Sequence, residues 1–237
     1  MKRILILLLL CCFLPLAGLA EEKGGYVLTA TVAAEESALL SLPVESSAQL
    51  LSLAKGDALT ITALGTAYCE ALAGDAAGYV ATADVAFDVM AGEPTRLGIV
   101  DVSPTNLLHG HMSLRESAST KSAALRKMAK GCLVLIIGEE NGMYHLAMPG
   151  YIGYGQKKNI DDDVKPVGYR IAYVKNDDAV HLRLDSRYGE NWIVMKLEPG
   201  TPVQFIRNPN GWAQVEVAGH RGRIVAKYLS FDAPEAE

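Results

Sequence analysis

KGDALTITALGTAYCEALAGDAAG at residues 55–78, KGCLVLIIGEENGMYHLAMPGYIG at 130–153 and PGTPVQFIRNPNGWAQVEVAGHRG at 199–222 are three copies of one unit. Gly56, Gly131 and Gly200 are each followed, 22 residues on and without a gap, by Gly78, Gly153 and Gly222. A spacing kept three times is the signature of an internal repeat. The copies begin 75 and 69 residues apart, and a unit of about 70 residues lies near the lower limit for a core of its own.

Apolar columns hold the copies in register. Leu59, Val134 and Val203 align, and two positions on so do Ile61, Ile136 and Phe205. Period two is the mark of a strand. Upstream, Leu50, Leu125 and Val194 form one column and Leu53, Met128 and Leu197 another; downstream, Ala71, Leu146 and Val215 alternate with Ala73, Met148 and Val217. Turn chemistry separates these runs at residues 138–142, at Asn208-Pro209-Asn210-Gly211 and at Ala218-Gly219. No run has helical periodicity beyond a single turn. The pattern predicts an all-β protein of three tandem small barrels, each of five or six short strands.

The second copy carries Leu114-Arg115-Glu116, Ser119, Ser122, Leu125, Lys130-Gly131, Gly142-Met143-Tyr144 and Gly153-Tyr154. The third carries Leu182-Arg183, Gly200-Thr201-Pro202-Val203, Asn210-Gly211-Trp212, Val215, and Gly222 through Tyr228-Leu229-Ser230-Phe231. These motifs resemble the bacterial SH3-like (SH3b) domain family, and the resemblance covers almost all of the chain after residue 20. The first copy departs most: Pro43 stands where the arginine is expected, Tyr68 replaces the tryptophan, and the early loop reads as shorter. The resemblance implies SH3-like barrels over residues 21–91, 92–163 and 164–237, the first degenerate. It also implies non-catalytic modules that bind cell-wall or peptide ligands. Linkers are expected at residues 90–94 and 161–166, where glycine, proline and polar residues interrupt the strands.

Outward from the repeats, the 237-residue chain opens with Lys2-Arg3, an apolar run over residues 4–16 and Gly18-Leu19-Ala20. This reads as a secretory signal peptide cleaved after Ala20, so a secreted, extracellular or wall-associated protein is expected. Leu9-Leu10 before Cys11 and Cys12 stand where a lipoprotein signal places a small residue, which argues against a lipid anchor. Beyond Ala20 no apolar run approaches the roughly 18 residues of a membrane span. The remaining 20 basic and 27 acidic side chains form no basic stripe, which excludes nucleic acid as the expected partner. The acidity belongs to residues 21–91, with 10 acidic and 2 basic side chains, whereas 92–165 carry 8 and 9 and 166–237 carry 9 of each. Such an acidic unit either keeps the protein soluble or docks a cationic partner.

Candidate chemistry is sparse. Cys69 and Cys132 occupy different places in their copies and share no thiol site. They are expected as small buried thiols, not a catalytic nucleophile and too few for a disulfide framework, with a bridge between the first and second units as the alternative that export permits. His109 and His111 supply at most half a metal site. Asp161-Asp162-Asp163 lacks the spacing of a calcium loop and reads as a solvated linker. No nucleophile elbow or phosphate loop occurs, so no enzyme activity, cofactor or metal is expected. Arg115 and Arg183, at the family's arginine position, are expected to brace loop carbonyls through several donors. Arg221, Arg223 and Lys227 read as solvated surface.

Aromatic side chains remain, and both tryptophans lie in the third copy. Tyr188, Trp192, Trp212 and Tyr228 are the candidate ligand-binding residues, because flat rings beside variable loops grip peptides or sugars at low entropic cost. Trp212 also suits a packing position. The expected role is attachment to peptidoglycan or a cell-wall peptide through tandem weak sites. The alternative is an interaction scaffold for an exported protein partner.

Overall fold

A computed structural model describes residues 25–89, 95–102, 110–167 and 170–234. The expected leader, the 90–94 linker and His109 lie outside the described residues. Among the described residues the chain is all-β, with three antiparallel sheets of seven strands. The first holds β1 (Thr29–Val32), β2 (Glu36–Leu40), β3 (Gln49–Ala54), β4 (Ala58–Ala63), β5 (Tyr68–Ala73), β6 (Ala76–Ala81) and β7 (Val85–Phe87). The second holds β8 (Arg96–Val100), β9 (His111–Arg115), β10 (Ala124–Ala129), β11 (Leu133–Glu140), β12 (Met143–Met148), β13 (Tyr151–Gln156) and β14 (Ile160–Asp161). The third holds β15 (Arg170–Val174), β16 (Val180–Arg183), β17 (Ile193–Leu197), β18 (Pro202–Arg207), β19 (Trp212–Val217), β20 (His220–Val225) and β21 (Leu229–Ser230).

All three sheets share one strand order, β3-β2-β6-β5-β4-β1-β7 in the first and its counterparts in the others. The expected closed barrels are therefore corrected to open sheets, whose end strands do not pair with each other. The last strand has only two or three residues, and β2 meets β6 at the single pair Leu40↔Tyr79, matched by Arg115↔Tyr154 and Arg183↔Arg223. Short 3-10 turns at Thr82–Asp84, Lys157–Asn159 and Ala226–Tyr228 precede that last strand in each sheet.

The repeat glycines have two different reasons to be glycine. Gly56, Gly131 and Gly200 take φ of +91°, +87° and +79°, a region costly for any other residue. Gly78, Gly153 and Gly222 instead sit under a crossing strand. A Cβ there would lie 2.6, 2.5 and 2.9 Å from the carbonyl oxygens of Leu40, Arg115 and Arg183. That contact identifies Leu40, not Pro43, as the counterpart of the two arginines. It also reduces the expected loop shortening to one residue against the third repeat and none against the second, since eight residues separate Leu40 from its pair Gln49, eight separate Arg115 from Ala124 and nine separate Arg183 from Ile193. Pattern reading misplaced the position because leucine and arginine share no chemistry, whereas backbone pairing is blind to the side chain.

Most columns are core. Leu59, Val134 and Val203 are buried, as are Leu53, Met128 and Leu197, and Ala71, Leu146 and Val215. The Leu50, Leu125 and Val194 column is different, because each is the extra residue of a β-bulge and the two leucines are exposed. The buried side chains of the first two sheets merge into one cluster, and those of the third form a separate one.

Each repeat touches both others. The Gly150 N–H donates to the Tyr26 carbonyl at 2.9 Å, joining second to first. Leu133 N–H donates to the Gly219 carbonyl and Arg221 N–H to the Gly131 carbonyl, both at 2.8 Å, joining second to third. The third repeat reaches the first through Glu216, whose carboxylate accepts from the Thr66 backbone N–H at 2.7 Å and its hydroxyl at 2.9 Å. The 161–166 segment is more anchored than a solvated linker. Asp161 ends β14, and the Asp162 carboxylate accepts from the Tyr144 hydroxyl at 2.7 Å and from Arg96 at 2.9 Å. Those partners hold its carboxyl below the usual carboxylate value, the Tyr144 hydrogen bond most of all.

Candidate functional site

In each repeat a loop after β2, β9 or β16 faces the hairpin turn that begins β5, β12 or β19, and the fate of that groove differs three ways. In the first repeat Pro43 and Tyr68 line a narrow cleft whose other wall is Gln204, Glu216 and Gly219 of the third repeat. The groove is taken up by the contact between repeats. In the second, Ser119, Thr120, Asn141, Gly142 and Met143 line a cavity of about 420 Å³ with no aromatic side chain. In the third, the same loop and turn carry aromatic rings in contact.

Backbone chemistry places those rings. Arg183 Nη1 donates to the Gly189 carbonyl at 2.9 Å, as Arg115 Nη1 does to the Ser122 carbonyl at 2.5 Å, so each braces one loop carbonyl through a single donor where several were expected. Gly189 takes φ of +117°, and the Trp192 N–H returns to its carbonyl at 3.2 Å within the 3-10 turn Glu190–Trp192. Leu184 N–H then donates to the Trp192 carbonyl at 2.8 Å, closing the loop at its base. Opposite it, Asn210 at φ +58° and Gly211 at φ +78° reverse the chain into Trp212.

Tyr188 is 72% exposed and its ring meets Trp212 at 5.2 Å between centroids, tilted by 59°. The Arg183 guanidinium lies 5.6 Å from the Tyr188 ring, and that of Arg187 lies 4.7 Å from Trp192. Tyr188, Trp192 and Trp212 thus belong to one loop-and-turn region, with Trp212 half-buried and outside the third core. Tyr228 differs. Its ring packs on that core, with Lys227 Nζ 4.8 Å away. Arg187 was not singled out in the sequence, though its place between Asp185 and Tyr188 in a nine-residue loop was a readable signal. Rings beside guanidinium groups suit a ligand that offers a flat apolar face and a carboxylate.

Electrostatics around the groove favour neutral histidine. Burial, and then Arg183 and Lys196, hold His181 below its ordinary value, and its Nδ1 stands 3.4 Å from Arg183 Nη2 as the acceptor. Of the three cations read as solvated surface, Arg221 is not so. It turns to Glu216 through Nε at 3.3 Å and Nη2 at 3.0 Å.

The thiols are free and buried. Burial raises Cys69 despite hydrogen bonds with Thr82 and Gly65, and pushes Cys132 up to about 12. A thiol so placed stays protonated at neutral pH. Among the described residues no group of three or more His, Cys, Asp or Glu side chains is placed to hold a metal ion, and no helix is long and apolar enough to cross a membrane.

No family model matches this chain, and neither does any curated protein. Among solved structures it is similar to NlpC2 from Trichomonas vaginalis, at 9% identity over 88% of this chain and 94% of that one, with a TM-score of 0.26. NlpC1 from the same organism gives 9% identity over 90% and 99% of the two chains and a TM-score of 0.26. A likeness of that degree transfers neither fold nor activity.

Proposed function

We propose that this is an exported, non-catalytic binding protein of SH3-like repeats that attaches to peptidoglycan or another envelope polymer through its third repeat. The observation that carries the reading is the exposed Tyr188 ring on Trp212, flanked by the guanidinium groups of Arg183 and Arg187. A peptide stem has what these groups take: small apolar faces for the rings and free carboxylates for arginine. The buried, unactivated thiols support a binding role over hydrolysis. In this reading the tandem weak sites expected from the repeats reduce to one that carries rings, because Pro43 and Tyr68 of the first repeat line the contact with the third.

The test is retention of protein comprising residues 21–237 on purified sacculi, before and after removal of secondary polymers, alongside a Tyr188→Ala, Trp192→Ala variant. Retention on stripped sacculi that the folded variant loses supports peptidoglycan as the ligand. Absence of retention on either preparation overturns the reading.

A further inference from the structure

The three repeats end in equivalent edge strands, β3, β10 and β17, and differ in how those edges are protected. A free edge strand offers unpaired N–H and C=O groups to any extended chain, and proteins commonly guard it with lysine. Lys127 on β10 pairs with Ser113 and Lys196 on β17 pairs with His181; at the same register position β3 has Ser52, paired with Ala38. The β-bulge repeats the contrast. Arg126 follows the bulged Leu125 and lies 4.8 Å over the Tyr151 ring, and Val194 and Met195 pack on the third core. In the first repeat the same two positions are Leu50 and Leu51, set opposite buried Leu39 yet 52% and 41% exposed. Across its six residues β3 has no charged side chain, and among the described residues it pairs with β2 alone.

We infer that the free edge of β3 is an interaction surface that accepts an extended, basic segment of a partner protein as an added strand. Main-chain hydrogen bonds supply the affinity of such an addition, and alternate side chains, here meeting Leu50 and Leu51, supply selectivity. Charge selects the partner. Residues 25–89 hold eight acidic side chains and one basic, Lys55, which is already paired with Glu35 at 2.7 Å. A second copy of the chain would set one acidic repeat against another, whereas a cationic strand is drawn to the repeat that carries this edge. The inference does not rest on the aromatic groove, which lies on another repeat.

Protein comprising residues 21–237 is titrated against a fluorescein-labelled peptide of four Val-Lys repeats and against its Val-Glu counterpart, read by anisotropy, with hydrogen exchange on the complex. Ser52→Lys installs the lysine of the other two edges at an exposed position. Asp75→Asn, in the exposed turn after β5, makes the same change of one charge elsewhere on the repeat. Saturable binding of the Val-Lys peptide, weakened at least about tenfold by Ser52→Lys and less than about twofold by Asp75→Asn, with new protection at amides 49–54, is the expected result. Failure of the Val-Lys peptide to bind, equal binding of both peptides, equal loss in both variants, or protection elsewhere overturns it. Self-association of the unmodified protein that Ser52→Lys abolishes also overturns it, in favour of a second copy.

Discussion

Glu216 on the third sheet accepts the backbone N–H of Thr66, between β4 and β5 of the first repeat, at 2.7 Å, and the same carboxylate takes Arg221 at 3.0 Å. Thr66 and Glu216 are both buried, so the carboxylate is the joint through which the last repeat holds the first. The Thr66 hydroxyl also accepts from Val167 N–H at 3.2 Å, tying in the connection between second and third repeats. Glu216→Ala leaves a buried donor and a guanidinium without their acceptor. The expected loss is about 3 kcal/mol, read from urea unfolding. A double-mutant cycle with Thr66→Val should return a coupling of about 1 kcal/mol, and strict additivity would contradict the contact.

Two glycines of nearly equal φ should respond unequally to alanine. Gly56 and Gly131 share φ near +90°, but a Cβ at Gly56 meets nothing within 4 Å, whereas at Gly131 it would lie 2.0 Å from the Arg221 carbonyl oxygen. Gly56→Ala is expected to cost about 1–2 kcal/mol, the price of the left-handed region alone. Gly131→Ala adds overpacking of about 1–3 kcal/mol and opens the seam between repeats, with faster hydrogen exchange at Leu133 and Arg221. Equal costs would show that the seam yields without strain.

What the sequence disclosed follows from what repeats. Gly56, Gly131 and Gly200, and the Leu59, Val134 and Val203 column, recur because every copy solves the same turn and core, so the strand pattern and the repeat are readable from spacing. Leu40 escaped because its role is set by the backbone contact over Gly78, to which the side chain contributes nothing. Open ladders escaped because residue pattern specifies which face is buried, not whether β3 reaches β7. The joint at Glu216 escaped for another reason. It is a contact of one copy with another, so no column records it. Of the four candidate ring residues, three fall on one loop and turn, because variable loops carry what copies do not share. Tyr228 belongs to the shared 3-10 turn and serves the core.

Acid should weaken the fold before the carboxylates titrate. Burial holds His145 and His220 below the ordinary histidine value, and burial with Arg183 and Lys196 does so at His181. The unfolded chain therefore takes up protons first as pH falls, and stability is lost below about pH 6.5. Glu70, raised by burial, acts in the opposite sense: the folded state keeps its proton above the ordinary carboxylate value and regains some stability in that lower window. The urea midpoint should drop between pH 8 and pH 6, and His220→Gln should flatten the drop. A midpoint that is constant or rises on acidification would refute the assignment.

The ring pair permits a clean separation of binding from folding. Tyr188 is exposed and contacts Trp212 from the solvent side of the third core, so Tyr188→Ala removes ligand area while leaving stability within about 0.5 kcal/mol. Trp212 is half-buried at the start of β19, and its loss should reduce both retention and melting temperature. Arg183→Met keeps the length of the side chain but deletes its bond to the Gly189 carbonyl, so the loop loses its brace and Trp192 fluorescence in a Trp212→Phe background should shift toward that of a solvated indole. If wall retention tracks Tyr188→Ala at unchanged melting temperature, the rings themselves hold the ligand. Retention that falls only in the variants that melt early would assign the cluster to packing and take the groove away from the third repeat.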